Sequence, residues 1–232
     1  MKRLFVTMTV KEKRGGLCLL GTGVLLPLVL KLAGVSEFLL LMLTESLLFS
    51  GVLVVFKDFL MESLQVPFTG FGNILKMALL GWIAVSLATL LTNDLVFFYM
   101  PRYFFYDETG PHFLSAQREF LAAALEFNFP LTAACWIILL PVITEVFHRG
   151  LIFGNLPFKS RTVACLVGTL LFALLRTLFL ANPQDPIYNV LNFLQFVPMG
   201  LVFTWVYCGT ETIVTPILAH MMLNAVSIFN MR

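Results

Sequence analysis

The chain has 232 residues, a formal net charge of +2 and a mean hydropathy of +0.92; 59% of its residues are hydrophobic and only 12% are charged. A soluble domain of this length needs roughly 25% charged residues to cover its surface, so the composition excludes a soluble globular protein. The few basic residues lie at the edges of apolar segments, and we therefore expect no nucleic acid partner.

Seven apolar segments are long enough to be membrane helices, because a bilayer core about 30 Å thick requires roughly 20 apolar residues per helix. The fourth segment contains Pro130 and Pro141, which predict a kinked or oblique helix. No repeat, low-complexity tract or linker interrupts the chain. We therefore predict one all-α membrane domain over residues 1–232, a polytopic helix bundle of about seven transmembrane helices. The predicted spans lie near 16–34, 38–56, 74–91, 130–156, 163–181, 187–207 and 212–229.

The distribution of Lys and Arg predicts the orientation, since these residues favour the cytoplasmic ends of membrane helices. Five basic residues precede or begin the first span, so we expect the N-terminus to be cytoplasmic. Alternation of an odd number of spans then places the C-terminus outside. The segment 92–129, which has more acidic than basic residues, falls on the outer side, as this orientation requires. The basic residues assigned to the cytoplasmic side are Lys2, Arg3, Lys11, Lys13, Arg14, Lys57, Lys76, Lys159 and Arg161.

Two connecting segments have marked compositions. Residues 57–68 mix charged and large apolar side chains, which is typical of a short amphipathic helix in the membrane interface, although a plain connecting loop fits equally well. Residues 96–110 are rich in Phe and Tyr. Such rings collect where a helix meets lipid headgroups, and a surface for a specific partner is the alternative.

Ionisable residues inside the predicted spans are the first candidates for function, because they are costly in lipid and usually face the interior of a bundle. Lys31 lies near a helix end, where its side chain can extend to the interface. Glu45 lies near the middle of the second span without an obvious partner, so we expect it to be neutral or hydrogen-bonded across helices. The remaining candidates are Glu145, His148, Arg149, Arg176 and His220.

The depths of these residues predict one internal site. At 1.5 Å per residue from the presumed cytoplasmic helix ends, Glu145 lies roughly 16 Å deep, His220 roughly 12 Å, Asn224 roughly 18 Å and Arg176 roughly 20 Å. Glu145 and Arg149 are four residues apart on one helix face, and so are His220 and Asn224. Polar side chains that only join helices are the structural alternative.

The neighbours of this pair give two further predictions. Gly150 and Gly154 form a GxxxG motif that permits close helix contact. His148 is rotated about 100° from Arg149 on an ideal helix, so we expect it on a different surface, at the margin of the site.

Three motifs follow in order along the C-terminal half: TEVFHRG around Glu145, FALLR ending at Arg176, and HMMLN from His220 to Asn224. Together with the membrane setting, they resemble the CAAX protease and bacteriocin-processing (CPBP) family, also called the Abi family of intramembrane endopeptidases. The motifs of that family are EExxxR, FxxxH and HxxxN. The resemblance covers about residues 125–228 and implies a CPBP-like core there.

The resemblance also implies roles for individual positions. In the family, the first glutamate of EExxxR and the histidine of FxxxH are understood to activate a water that attacks the scissile carbonyl, and the HxxxN pair supports the oxyanion. Four family positions are retained in this chain, namely Glu145, Arg149, His220 and Asn224.

Both water-activating positions are substituted, the glutamate by Thr144 and the histidine by Arg176. A general base must accept a proton near the operating pH, which neither a hydroxyl nor a permanently charged guanidinium does. We therefore expect a former catalytic centre, with Arg176 approaching Glu145 in a structural ion-pair network.

Three other chemistries use the same residues. Glu145 could act as the base with His220, as in an active endopeptidase. Thr144 could act as a nucleophile if one of these groups activated it. A metal site of Glu145, His148 and His220 is formally possible, but its spacing is unlike HExxH. We expect neither a metal ion nor a cofactor.

The leading functional hypothesis is a catalytically silent member of this protease-like family, a pseudoenzyme that acts as a scaffold or regulator. Its expected partners are membrane lipid and another membrane or cell-envelope protein, and its expected location is the plasma membrane of a bacterium. An active CAAX-protease-like endopeptidase is the alternative. A small transporter is a third class, but the broken-helix repeats of secondary carriers are missing from the sequence.

Overall fold

The computed structural model describes residues 8–65, 68–93, 121–153, 161–179 and 186–230. Within these ranges every regular element is a helix, as predicted, and residues 121–127 are also helical. The aromatic segment 96–110 and Gly154 lie outside the described residues. We number the helices α1 (Val10–Leu32), α2 (Glu37–Val55), α3 (Lys57–Leu64), α4 (Phe68–Asn93), α5 (Phe129–Ile152), α6 (Arg161–Phe179), α7 (Pro186–Thr210) and α8 (Val214–Phe229).

Five of these helices, α1, α2, α4, α5 and α7, are long and apolar enough to cross a membrane. The apolar parts of α6 and α8 are shorter, at Thr162–Thr177 and Val214–Phe229. Each of the seven predicted spans therefore corresponds to an apolar helix, although α6 and α8 fall short of full spanning length. Large apolar side chains such as Val54 and Leu91 are exposed on the outer faces. The protein is thus an integral membrane helix bundle whose surface contacts lipid.

Glu12 fastens the start of α1 to α3. Its Oε2 accepts hydrogen bonds from the backbone N–H and the hydroxyl of Thr9, forming a capping box at the start of α1. Its Oε1 accepts the N–H of Phe59, at 2.9 Å, in the first turn of α3. Phe59 and Ser63, one turn apart, form the buried face of α3. Residues 57–64 are therefore a helix and not a plain loop; their position in the membrane interface stays a prediction.

The helix α5 is irregular, and Pro141 explains part of the irregularity. Residues Cys135–Leu139 and Val146–Ile152 form π-helical turns, in which N–H groups bond carbonyls five residues back. The N–H of Leu140 bonds the Cys135 carbonyl, and Pro141 has no N–H to offer. The carbonyl of Trp136 thus loses both usual donors from its own helix, and another helix must satisfy it.

Two glycines mark places where the bundle packs closely. A Cβ on Gly200 of α7 would lie 2.9 Å from Phe172 and 3.3 Å from the Thr169 carbonyl oxygen of α6, so these two helices touch almost backbone to backbone. A Cβ on Gly150 would lie 2.5 Å from Met8 and 3.0 Å from Phe59. The GxxxG prediction thus holds for Gly150 as a point of close approach, but the contact is with α3 and the N-terminal segment.

Candidate active site

Glu145 lies at the centre of the bundle with its side chain completely buried. Its Oε2 is 3.2 Å from Nη1 of Arg149, an ion-pair contact one helical turn along α5. Its Oε1 is 3.1 Å from Nδ1 of His220, which reaches across from α8. Both carboxylate oxygens therefore face partners supplied by the protein itself.

Arg149 is also buried, at 2% exposure, and it joins three helices. Besides the ion pair within α5, its Nη2 donates a hydrogen bond of 3.2 Å to the carbonyl of Gly200 on α7. The guanidinium carbon lies 4.7 Å from the ring centre of Phe172 on α6, within cation–π distance. The close approach of α6 and α7 at Gly200 brings both the carbonyl and the ring within reach of one side chain.

His220 and Asn224 have different partners, although they share one face of α8. The His220 ring stacks on Phe203 of α7, with centroids 4.9 Å apart and an interplanar angle of 26°, while it contacts Glu145. The amide of Asn224 donates a 2.8 Å hydrogen bond to the Trp136 carbonyl, the group that Pro141 leaves without an intrahelical donor. Asn224 therefore compensates the irregular backbone of α5 instead of contacting Glu145.

Thr144 and Arg176, the positions predicted to differ from the family motifs, lie beside a separate cavity of about 260 Å³ between α1, α2, α5 and α6. Thr144 and Arg176 line it together with Glu45 and His148, whereas Glu145 does not line it. The rest of the wall is apolar, except for Thr44 of α2. The structure thus separates the predicted polar residues into a buried triad of Glu145, Arg149 and His220 and a neighbouring cavity.

The expected approach of Arg176 to Glu145 is wrong at the level of direct contact. Among the described residues, no carboxylate oxygen lies within 4.0 Å of the Arg176 guanidinium. The guanidinium carbon lies 5.5 Å from the ring centre of Phe196, and Arg176 lines the same cavity as Glu45. Arg149 and His220 already occupy the Glu145 carboxylate, so Glu45, predicted to have no obvious partner, is the second acid near Arg176.

His148 lies on a different surface from Arg149, as predicted, because it lines the cavity and Arg149 does not; its burial was not predicted. The residue is 7% exposed, its Nδ1 lies 2.7 Å from the Thr144 carbonyl oxygen, and its ring packs edge-on against Phe172 at 4.8 Å. The prediction assumed that only one face of α5 is enclosed, but every residue from Val146 to Leu151 is buried. A helix surrounded on all sides has no outer face on which to place a histidine.

Residues 126–226 match the family model described as type II CAAX prenyl endopeptidase Rce1-like. This part of the chain is therefore similar to that family. The matched range lies inside the residues that carry the motif resemblance. Comparisons with curated proteins and with solved structures give no match.

The Rce1-like segment contains the whole buried triad and three of the polar residues that line the cavity, namely Thr144, His148 and Arg176. In the parts of the chain that the structure describes, no three His, Cys, Asp or Glu side chains are placed to hold a metal ion. The triad can hold helices together, because each charge has a partner. The cavity offers both hydrogen-bond donors and acceptors to an occupant. The sequence identified Glu45 as an acid near the middle of the second span, but no motif linked it to Arg176.

Proposed function

We propose that this Rce1-like membrane protein is catalytically silent and acts as a scaffold or regulator of another membrane or envelope protein. The observation that carries the proposal is the environment of Glu145. It is the one acid retained from EExxxR, its exposure is 0%, and its two oxygens lie 3.2 Å from Arg149 and 3.1 Å from His220.

A water-activating carboxylate needs an oxygen within hydrogen-bonding distance of the attacking water. The Oε1 of Glu145 contacts His220, its Oε2 faces Arg149 as an ion pair without a hydrogen bond, and the residue does not border the cavity. At the two positions that do border the cavity, a threonine and an arginine supply no general base. Loss of such a base commonly lowers a rate by about 10²- to 10⁴-fold, and here both activating groups are replaced.

Hydrolysis by the purified protein in lipid vesicles tests the proposal. The substrate would be a prenylated peptide of the CAAX type, since that is the class named for the family. We expect no cleavage by the wild-type protein above the level of Glu145→Gln. Cleavage that disappears in Glu145→Gln while the variant stays folded would overturn the proposal.

The scaffold role has a separate test in the native membrane. The protein should purify with a partner in a fixed ratio, and the same partner should be recovered with the Glu145→Gln variant. The wild-type phenotype should not require glutamate at position 144 or histidine at position 176. A phenotype that is lost in Glu145→Gln, with no partner recovered from the native membrane, would contradict the scaffold role.

The second candidate is an active endopeptidase with Glu145 as base and His220 as its partner, and their 3.1 Å contact favours it. For this chemistry Glu145 must release Arg149 and reach the cavity. Under this alternative, His220→Ala abolishes cleavage while Asn224→Ala, which removes a contact to the α5 backbone, leaves the chemistry measurable.

A further inference from the structure

The cavity between α1, α2, α5 and α6 collects buried polar atoms that have no partner. Among the described residues, four side chains that line it each have a buried polar atom without a hydrogen bond. Thr44 and His148 are 6% and 7% exposed. In the membrane interior an unsatisfied polar group is costly. Their convergence indicates a site for a polar group. The four atoms are Thr44 Oγ1, Glu45 Oε2, His148 Nε2 and Arg176 Nε.

The pattern of donors and acceptors restricts the occupant. The Nδ1 of His148 faces a carbonyl, which only accepts, so Nδ1 carries the proton and Nε2 of the neutral ring is an acceptor. The Nε of Arg176 is a donor, and an ionised Glu45 only accepts. A group that both donates and accepts hydrogen bonds satisfies all of them.

The charged residues of the cavity wall restrict the occupant further. Glu45 and Arg176 both line the cavity, so it already has one acid and one base. A charged headgroup would leave a net charge in the membrane interior, which is costly. An uncharged headgroup would not.

The remainder of the wall fits an alkyl chain. Leu19, Leu20, Leu40, Leu41 and Trp136 are among its apolar residues. Ligand sites of this kind are mostly apolar with a few convergent polar groups. With about 260 Å³, the cavity has room for a headgroup and the first part of a chain.

We propose that this cavity binds an uncharged, hydroxyl-bearing amphiphile such as a monoacylglycerol, with its hydroxyl groups between Arg176 and His148 and its chain along α1 and α2. The proposal goes beyond the scaffold function, because binding is measurable whether or not the protein cleaves any substrate.

Trp136 in the cavity wall provides the assay. In a Trp82→Phe/Trp205→Phe background it is the one tryptophan left of three, and bromine on a bound alkyl chain quenches its fluorescence on contact. The probe is a brominated 12-carbon monoacylglycerol, titrated into the protein in phosphatidylcholine nanodiscs. We expect saturable quenching that the unbrominated compound reverses by competition. Quenching that rises only in proportion to probe concentration would mean partitioning into bilayer, and that result would overturn the proposal.

Two buried threonines form a matched pair of variants. Thr44 lines the cavity, whereas Thr169 of α6, 1% exposed and also without a partner for its hydroxyl among the described residues, does not. Thr44→Val should weaken binding about fivefold, the effect of one neutral hydrogen bond, and Thr169→Val should leave it unchanged. Equal effects of the two variants would contradict the assigned site.

Glu45→Gln tests the charge argument with a readout that a purely structural role would not change. The variant leaves Arg176 without its nearby acid, so the cavity should then prefer an anionic headgroup. We expect the wild type to prefer the monoacylglycerol over the 12-carbon carboxylate by about tenfold or more, and Glu45→Gln to reverse that preference. An unchanged preference would refute the proposed pairing of Arg176 with the ligand.

Discussion

Replacing Arg149 by methionine tests whether the buried triad is structural. The variant keeps most of the apolar side-chain volume but removes the charge that faces Glu145 at 3.2 Å and the donor to the Gly200 carbonyl. Because Glu145 is 0% exposed, water cannot compensate the loss. His220 would be the remaining partner of the carboxylate.

The expected loss of stability follows from this burial. Removing one partner of a buried ion pair costs about 3–5 kcal/mol, because it leaves an uncompensated charge. Replacing both partners by apolar residues is often nearly neutral. In Glu145→Met/Arg149→Met, the group left without a partner is Nδ1 of His220, which costs about 1–3 kcal/mol; the Gly200 carbonyl lies inside α7, where its own helix supplies a donor. The double variant should therefore be more stable than Arg149→Met alone.

Unfolding by SDS from mild-detergent micelles, followed by tryptophan fluorescence, measures these differences. Lys31→Met is the control for loss of a cation, since Lys31 is exposed near the end of α1 and its replacement should change stability by less than about 0.5 kcal/mol. If the double variant is no more stable than Arg149→Met, the triad is not a replaceable structural ion pair, and the reasoning fails.

Three further predictions test the packing around the site. Asn224→Leu, which removes the donor to the Trp136 carbonyl, should lower the free energy of unfolding by about 1–3 kcal/mol in the same assay. A change below about 0.5 kcal/mol would contradict a stabilising role for this hydrogen bond. The Cys165 and Cys208 sulfurs lie 3.6 Å apart on α6 and α7, so diamide should form an intramolecular disulfide, seen as a loss of two hydrogens by mass spectrometry. Cys165→Ser is its control, and an unreacted pair would contradict the contact. Glu12→Ala, which removes an acceptor from the first turn of α3, should speed amide exchange in α3; unchanged exchange would show that α3 docks without it.

The sequence was sufficient to predict that the polar groups of α5 and α8 lie together, because helix rise converts position into depth. Glu145 and His220, predicted about 4 Å apart in depth, are in contact at 3.1 Å. Depth does not give rotation, and Asn224, on the same face of α8 as His220, bonds Trp136 instead. That choice depends on Pro141 and on the π-helical turn beside it. A helical-wheel projection of an ideal α-helix includes neither the proline nor the π-helical turn.

The same limit explains His148. Periodicity identifies a helix with one buried face, since polar residues then mark the opposite side. The stretch from Val146 to Leu151 has no exposed side, so rotation carried no information about burial there. A histidine and an arginine in adjacent positions of an apolar span are better evidence that this stretch is buried on all sides, because lipid exposure of either would be costly.

The acid nearest to Arg176 could not be predicted from the sequence, because it depends on how the helices pack together. Two carboxylates, Glu45 and Glu145, lie near the middle of predicted spans, and depth alone assigns the arginine equally to both. Arg149 lies one turn from Glu145 on the same helix, so that acid has a neighbouring cation before other helices pack around it. Glu45 has no basic neighbour on α2, and its charge is offset when α6 brings Arg176 to the same cavity. Arg176 therefore shares its cavity with an acid that no motif identified, and we expect Glu45→Gln to affect Arg176 more than Glu145→Gln does.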